Sequence, residues 1–233
     1  FAPADVRLLH GVGDVQLSPS GAQALITVTS SGSPGRPTSE VRLVTLATGA
    51  ARRLGRDGEG VSGARWSPTG DRLAYFGREG QRYGLVVAQA DGSNAQFIAD
   101  VAGTNHPLPT SGERMTWSPD GAEIAFVSAT AGPEIDANGD PMVITRYLYK
   151  PTAGEGLTRF NDNRRLHIFV ANVRTKAVRQ LTRGDYYEHS LDWSPRGDEV
   201  LFVSNREKDP DRFFNYDVFA VRVADGVVRR VTS

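Results

Sequence analysis

The chain has no cysteine. That absence excludes disulfides, thiolate-held zinc and a cysteine nucleophile, and it leaves the compartment, cytoplasmic or periplasmic, undecided. Charge of one sign is also missing, because 27 Lys and Arg are matched by 27 Asp and Glu. Without a net positive field, non-specific attraction to nucleic acid has no source, so no nucleic-acid partner is expected. Long apolar runs are lacking as well. No stretch approaches the roughly 18 to 20 apolar residues that span a bilayer, and the opening FAPADVRLLH has no basic region followed by an apolar block, so no membrane partner is expected.

What the sequence does contain is a repeat. The tetrad Ser-Pro-x-Gly occurs at Ser18–Gly21, Ser67–Gly70, Ser118–Gly121 and Ser194–Gly197, with starts 49, 51 and 76 residues apart. All three tryptophans, Trp66, Trp117 and Trp193, stand immediately before a tetrad, and Leu17 takes that place in the first unit. Recurrence in each unit predicts a packing residue between neighbouring units. The tetrad itself reads as a turn: Ser bonds locally to backbone, Pro fixes φ at the first corner, and Gly accepts a left-handed conformation.

Short apolar runs follow each tetrad, at 24–28, 73–76, 124–127 and 200–203, and they read as strands covered on both faces. A further strand comes next in each unit (VRLVTL, YGLVVA, LHIFVA, YDVFAV), then a tight turn, then a last strand. Thr48-Gly49, Asp91-Gly92 and Asp225-Gly226 supply three of those turns, and Arg174-Thr175-Lys176 supplies the other. Four antiparallel strands per repeat of about 40 to 50 residues predict an all-β fold, a β-propeller with four four-stranded blades. The blades are expected at about 8–55, 56–100, 101–183 and 184–233. A seven-blade ring at this period needs roughly 350 residues, so these four blades are expected to belong to a larger ring of about seven or eight.

The third unit exceeds the others by about 26 residues, and an insertion is expected at about 130–165. Within it MVITRYLYK alternates like a strand and PTAGEG reads as the turn of an added hairpin. Asp136, Asn138 and Asp140 start like a calcium loop, but Pro141 and Tyr147 stand where the sixth-position Gly and twelfth-position Glu belong, so a solvated turn is expected and no metal. His10, His106, His167 and His189 show no metal spacing and no triad. Gly60-Val61-Ser62-Gly63 lacks the spacing of a nucleophile elbow, and no phosphate-cradling or dinucleotide motif occurs, so no catalytic residue and no cofactor are expected here. Arg146, Arg159, Arg164 and Arg165 cluster in the insertion with Glu155 and Asp162. Guanidinium forks suit carboxylates, either of a ligand or of an internal ion pair. Arg146, mid-strand among apolar neighbours, is the candidate substrate contact; its alternative role is an ion pair anchoring the hairpin.

WSPDGAEIAFVS and WSPRGDEVLFVSNR resemble the blade motif of TolB-like and prolyl oligopeptidase-like propellers. The order VITRYLYKPTAGEG, then RRLHIFVANVRTKAVRQLTRGDYYEHSLDW, then NYDVFAV resembles the N-terminal propeller of acylaminoacyl-peptidase and dipeptidyl-peptidase-type members of the prolyl oligopeptidase family. The resemblance implies a propeller that caps a C-terminal α/β-hydrolase domain carrying Ser, Asp and His, and that admits only short peptide substrates. No triad position carries over, since no matching motif is present. Two alternatives stand beside this expectation. One is a TolB-like protein-interaction module. The other is a complete small propeller enzyme, which would need carboxylates or metal ligands repeating at the strand starts.

Overall fold

The computed structural model describes residues 2–32, 37–56, 59–106, 111–149 and 160–232. Their residues form four separate four-stranded sheets, each strand antiparallel to its neighbours in simple chain order. The first sheet holds β1 (His10–Leu17), β2 (Gln23–Ser30), β3 (Thr38–Thr45) and β4 (Ala51–Arg53). The second holds β5 (Ser62–Trp66), β6 (Arg72–Glu79), β7 (Arg82–Gln89) and β8 (Gln96–Asp100). In the third are β9 (Met115–Trp117), β10 (Glu123–Ala131), β11 (Arg164–Asn172) and β12 (Val178–Gln180). The fourth contains β13 (Glu188–Trp193), β14 (Glu199–Ser204), β15 (Asp217–Arg222) and β16 (Val228–Arg230). Helix is confined to two short 3₁₀ turns, Pro3–Leu8 and Ile135–Asn138, among the described residues. The chain divides into two compact units, residues 1–100 with the first two sheets and residues 101–233 with the last two.

Each tetrad does what its chemistry predicts. The Gly N–H returns to the Ser carbonyl at 2.8–2.9 Å, and the Ser Oγ accepts the backbone N–H five residues on, as in Arg72 N to Ser67 Oγ at 3.0 Å. The glycines Gly21, Gly70, Gly121 and Gly197 lie at φ of 69°, 75°, 67° and 75°, where a side chain would be strained. At the outer turn of the third sheet Lys176 accepts the same conformation, φ 58°, as Asn172 Oδ1 takes the N–H groups of Arg174 and Thr175.

The tryptophans tie adjacent sheets together. In the first unit Trp66 Nε1 donates to the carbonyl of Gln16 on β1 at 3.4 Å; in the second, Trp193 Nε1 donates to the carbonyl of Thr116 on β9 at 3.0 Å. Both acceptors directly precede the residue that occupies the Trp position one repeat earlier, so within each compact unit the same bond couples its two sheets. Each compact unit buries its own core. Leu25, Leu43, Trp66, Leu73 and Tyr75 belong to the first, while Ile168, Trp193, Val200, Phe202 and Val221 belong to the second. Burial of this kind contributes roughly 1.5–3 kcal/mol per large side chain and dominates the stability. Leu17, where Trp would stand, is 61% exposed, as are Val12 and Val15 on the same strand at 66% and 56%.

One local expectation fails. Met142–Tyr149 forms no strand, and Pro151–Gly156, the expected turn, lies outside the described residues. The backbone there is satisfied irregularly: Leu148 N reaches Asp211 Oδ2 at 3.4 Å, the Leu148 carbonyl accepts from Asn161 Nδ2, and one backbone bond, Asn161 N to the Tyr149 carbonyl at 2.8 Å, joins the two arms. Side-chain partners at such spacing offer no ladder to a neighbouring strand, and alternation of apolar residues alone does not supply one.

Candidate functional site

The β10–β11 hairpin carries the insertion: register runs unbroken to Ala131 opposite Arg164, and the insertion lies in sequence between these two residues. On β11, Arg165 and His167 share one face, as residues two apart on a strand must. The Arg165 side chain is fully buried. It donates from Nη2 to Glu134 Oε2 at 2.6 Å and from Nε to Asp185, and it lies over the Tyr187 ring at 5.3 Å. Two residues further on, His167 Nδ1 is 2.7 Å from Glu188 Oε2. Glu188 is fully buried too and, besides the imidazole, accepts from Arg206 Nη2 at 2.9 Å and Thr182 Oγ1 at 3.2 Å. Buried charges need this density of partners, since an unpaired ion in the interior costs several kcal/mol.

The insertion is pinned to this cluster by Arg146. Its side chain is 8% exposed and grips Asp211, itself 7% exposed, from Nε at 2.9 Å and from Nη2. Burial works against its charge, but the Asp211 hydrogen bonds more than offset this and hold its pKa above the ordinary arginine value. Nη1 makes no hydrogen bond and lies 3.8 Å from Asp185. Leu148, two residues on, enters the second core, so one ion pair and one apolar side chain hold the arm down. Burial raises the Tyr187 pKa, partly countered by Arg165 and Arg146.

Beside this network lies a cavity of about 400 Å³, lined by Gly103, Thr104, His106, Ser111, Gly112, Arg114, Val127, Leu166 and His189. His106 stacks at 4.6 Å on Tyr187. Its pKa falls to about 4, chiefly through burial, with His189, Arg146 and Arg165 pushing the same way against Asp162. Burial also lowers His189, against the Ser111 carbonyl and Glu188. Ser190 sits at φ 57°, and its Oγ donates to the Ser111 carbonyl at 2.5 Å, so the 2.8 Å contact with His189 Nδ1 is donated by the imidazole. A serine whose proton is already committed to a carbonyl is no activated nucleophile.

The structure brings Arg146 and Arg165 together around Asp185 and Tyr187. Arg164 is exposed at the start of β11, Asp162 binds Thr104 Oγ1 at 2.5 Å and Asn105 N at 3.0 Å, and Arg159 and Glu155 fall outside the described residues. Asn138, in the segment that starts like a calcium loop, turns its amide to the Asp162 carbonyl and to Asn163. Among the described residues no group of three or more His, Asp or Glu is placed to hold a metal ion. Sequence reasoning missed Asp185, Tyr187, Glu188 and Asp211. The one available signal was the segment DYYEHS leading into Trp193, whose two adjacent tyrosines have no counterpart at the same place in the other units, and it marks Asp185, Tyr187 and Glu188 but not Asp211.

Fold and site together define a class, a β-propeller segment whose third sheet carries a long, charge-anchored insertion. No known family profile matches the chain. It is 25% identical over 225 residues to the uncharacterized peptidase YuxL of Bacillus subtilis, covering 92% of this chain and 33% of that protein. A shorter stretch of 57 residues, 24% of this chain and 12% of the relative, is 40% identical to the Tol-Pal system protein TolB of Methylobacillus flagellatus. The chain therefore spans about a third or less of these curated relatives. Among solved structures, Pyrococcus horikoshii acylaminoacyl peptidase superposes with a TM-score of 0.68 at 14% identity, over 97% of this chain and 33% of that one. A TolB from Agrobacterium tumefaciens superposes at 0.57 with 21% identity, over 94% and 64%. The β-propeller domain of the Trilobed protease from Pyrococcus furiosus, described as having an open velcro topology, gives 0.56 at 13% identity, over 96% and 57%. The chain is thus similar to the propellers of prolyl oligopeptidase-family acylaminoacyl peptidases and of TolB, and its fold is theirs.

Proposed function

We propose that this chain is a non-catalytic propeller portion of a serine exo- or oligopeptidase, which gates access and restricts hydrolysis to short peptides. The observation that carries the reading is the similarity to a peptidase over 92% of the chain. TolB likeness in sequence is confined to a fraction of that length, and it supports the second reading, a protein-interaction module. In the peptidase reading the Ser nucleophile, His base and oxyanion hole come from an α/β-hydrolase domain of the same protein, acting by acyl transfer. The four blades then belong to a larger ring, and the exposed Val12, Val15 and Leu17 of β1 are surface for a neighbouring blade.

Arg146 is the substrate-facing residue of this reading. Two of its nitrogens hold Asp211, and the proposed contact is Nη1, which makes no hydrogen bond, lies buried 3.8 Å from Asp185, and would be reached by a peptide carbonyl or carboxylate that takes the place of Asp185. The test is a fluorogenic short-peptide screen on the intact protein with and without a serine-directed phosphonate. Phosphonate-sensitive hydrolysis is expected, and its absence together with the lack of a Gly-x-Ser-x-Gly segment in the parent gene favours the interaction module. Arg146→Ala is expected to raise KM with a smaller change in kcat; unchanged kinetics removes Arg146 from the substrate path.

A further inference from the structure

We propose that the cavity beside His106 and His189 is a binding site for a small organic carboxylate, its apolar part on Val127 and Leu166 and its anionic end toward Arg114 and the two histidines. The proposal is independent of peptide hydrolysis. A cavity of about 400 Å³ is of the size that holds small organic ligands, and its wall pairs two buried apolar side chains with a few polar ones. Among the described residues no Asp or Glu lines it. Two acids act on the histidines, Asp162 on His106 and Glu188 on His189; Asp162 is hydrogen-bonded to Thr104 Oγ1, Asn105 N and Arg164 N, and Glu188 is paired with Arg206 and His167, so both charges are compensated within the protein. Arg114 lies in the wall of the cavity, and Arg146 and Arg165 add positive potential at His106.

The imidazoles complete the argument. His189 Nδ1 is engaged by Ser190 Oγ and the Ser111 carbonyl, and Nε2 is buried with no hydrogen-bond partner. His106 likewise keeps Nδ1 buried without one. Such orphaned nitrogens are costly in the empty protein. A carboxylate in the cavity lets either ring take up a proton and offer a charge-assisted N–H. The groups that bias this protonation are Asp162, Arg146, Arg165 and the Tyr187 ring around His106, and Glu188, the Ser111 carbonyl and the Tyr216 ring around His189.

The test is calorimetry on the intact protein with 3-phenylpropionate, its neutral amide and inorganic phosphate, at about pH 6 and about pH 8 in two buffers of different ionisation heat. The acid is expected to bind at least about tenfold tighter than the amide, and several-fold tighter at the lower pH with proton uptake. Arg114→Gln should weaken the acid about tenfold and leave the amide unchanged, and His189→Phe, which keeps a ring against Tyr216, should diminish the proton uptake. Equal binding of acid and amide, phosphate binding as tightly as the acid, or an Arg114→Gln protein with unaltered affinity each overturns the site. Arg114 is exposed, so its variant decides the matter even where His189→Phe does not fold.

Discussion

Two hairpins of the same design end in opposite ways. In the second sheet β6 and β7 stay in register to Glu79 opposite Arg82, and a tight turn at Gly80 closes them. In the third, β10 and β11 stay in register to Ala131 opposite Arg164 and then open into the insertion. At the mouth of the first, Arg82 lies in water with half its side chain exposed, bonded to Asp100 and stacked on Phe97 at 4.2 Å. At the mouth of the second, Arg165 has no exposed side-chain surface and is bonded to Glu134 and Asp185. The strand pairing is the same; Arg164 at the very end of the second ladder is exposed like Arg82, and what the insertion changes is the dielectric around the arginine one position further in, Arg165. An ion pair in water contributes little, whereas breaking one that the chain has buried leaves an uncompensated charge.

The sharpest way to break this comparison is Arg165→Met against Arg82→Met. The first should cost about 3 kcal/mol in urea unfolding, at the lower end for a buried pair because Glu134 and Asp185 keep contact with water. The second should leave the midpoint unchanged within the error of the titration. Leu148→Ala, which removes the apolar anchor of the insertion from the second core, should cost about 2–3 kcal/mol. Equal loss of stability for Arg82 and Arg165, or none for Leu148, would mean that the insertion is not packed as an integral part of the unit.

A third expectation concerns pH. His106 is held neutral by burial, with a folded pKa of about 4, below the usual histidine value. The unfolded chain therefore binds the proton first, and stability is expected to fall as pH drops from about 6.5 toward 4. His106→Phe, which keeps the ring on Tyr187, should flatten that limb of a urea-midpoint series; an unchanged slope would assign the acid limb to other groups. The smallest effect is expected at the outer turn of the third sheet. Lys176→Gly should stabilise by about 0.5–1 kcal/mol by relieving a left-handed backbone conformation, whereas Gly49→Ala, at the matching turn of the first sheet with φ 68°, should destabilise.

The repeat, the strand order and the turn positions were legible in the sequence because each rests on residues within a few positions of one another. Ser18, Pro19 and Gly21 make their turn together, and the strand after it is a short apolar run. The insertion was legible as excess length, but its form was not. Met142–Lys150 alternates convincingly, yet a strand needs a partner ladder, and here Asp211 and Asn161 take the backbone groups instead. Arg146 was singled out among the arginines of the insertion, but its partner stands 65 residues away and no local pattern marks it.

By itself, then, the sequence determined the period of this protein: local turn chemistry and short apolar runs dictate four antiparallel strands per unit, and a recurrent Trp marks where units meet. Only the tertiary structure decided which charges are buried and with whom. Arg165 meets Glu134 and Asp185 from 31 and 20 residues away, and His106, ahead of β9, and His189, on β13, reach one cavity. The reason is physical. Turns and strands follow from near-neighbour sterics and hydrogen bonding, whereas the energy of a buried charge depends on every group that excludes water from it, and folding alone collects those groups.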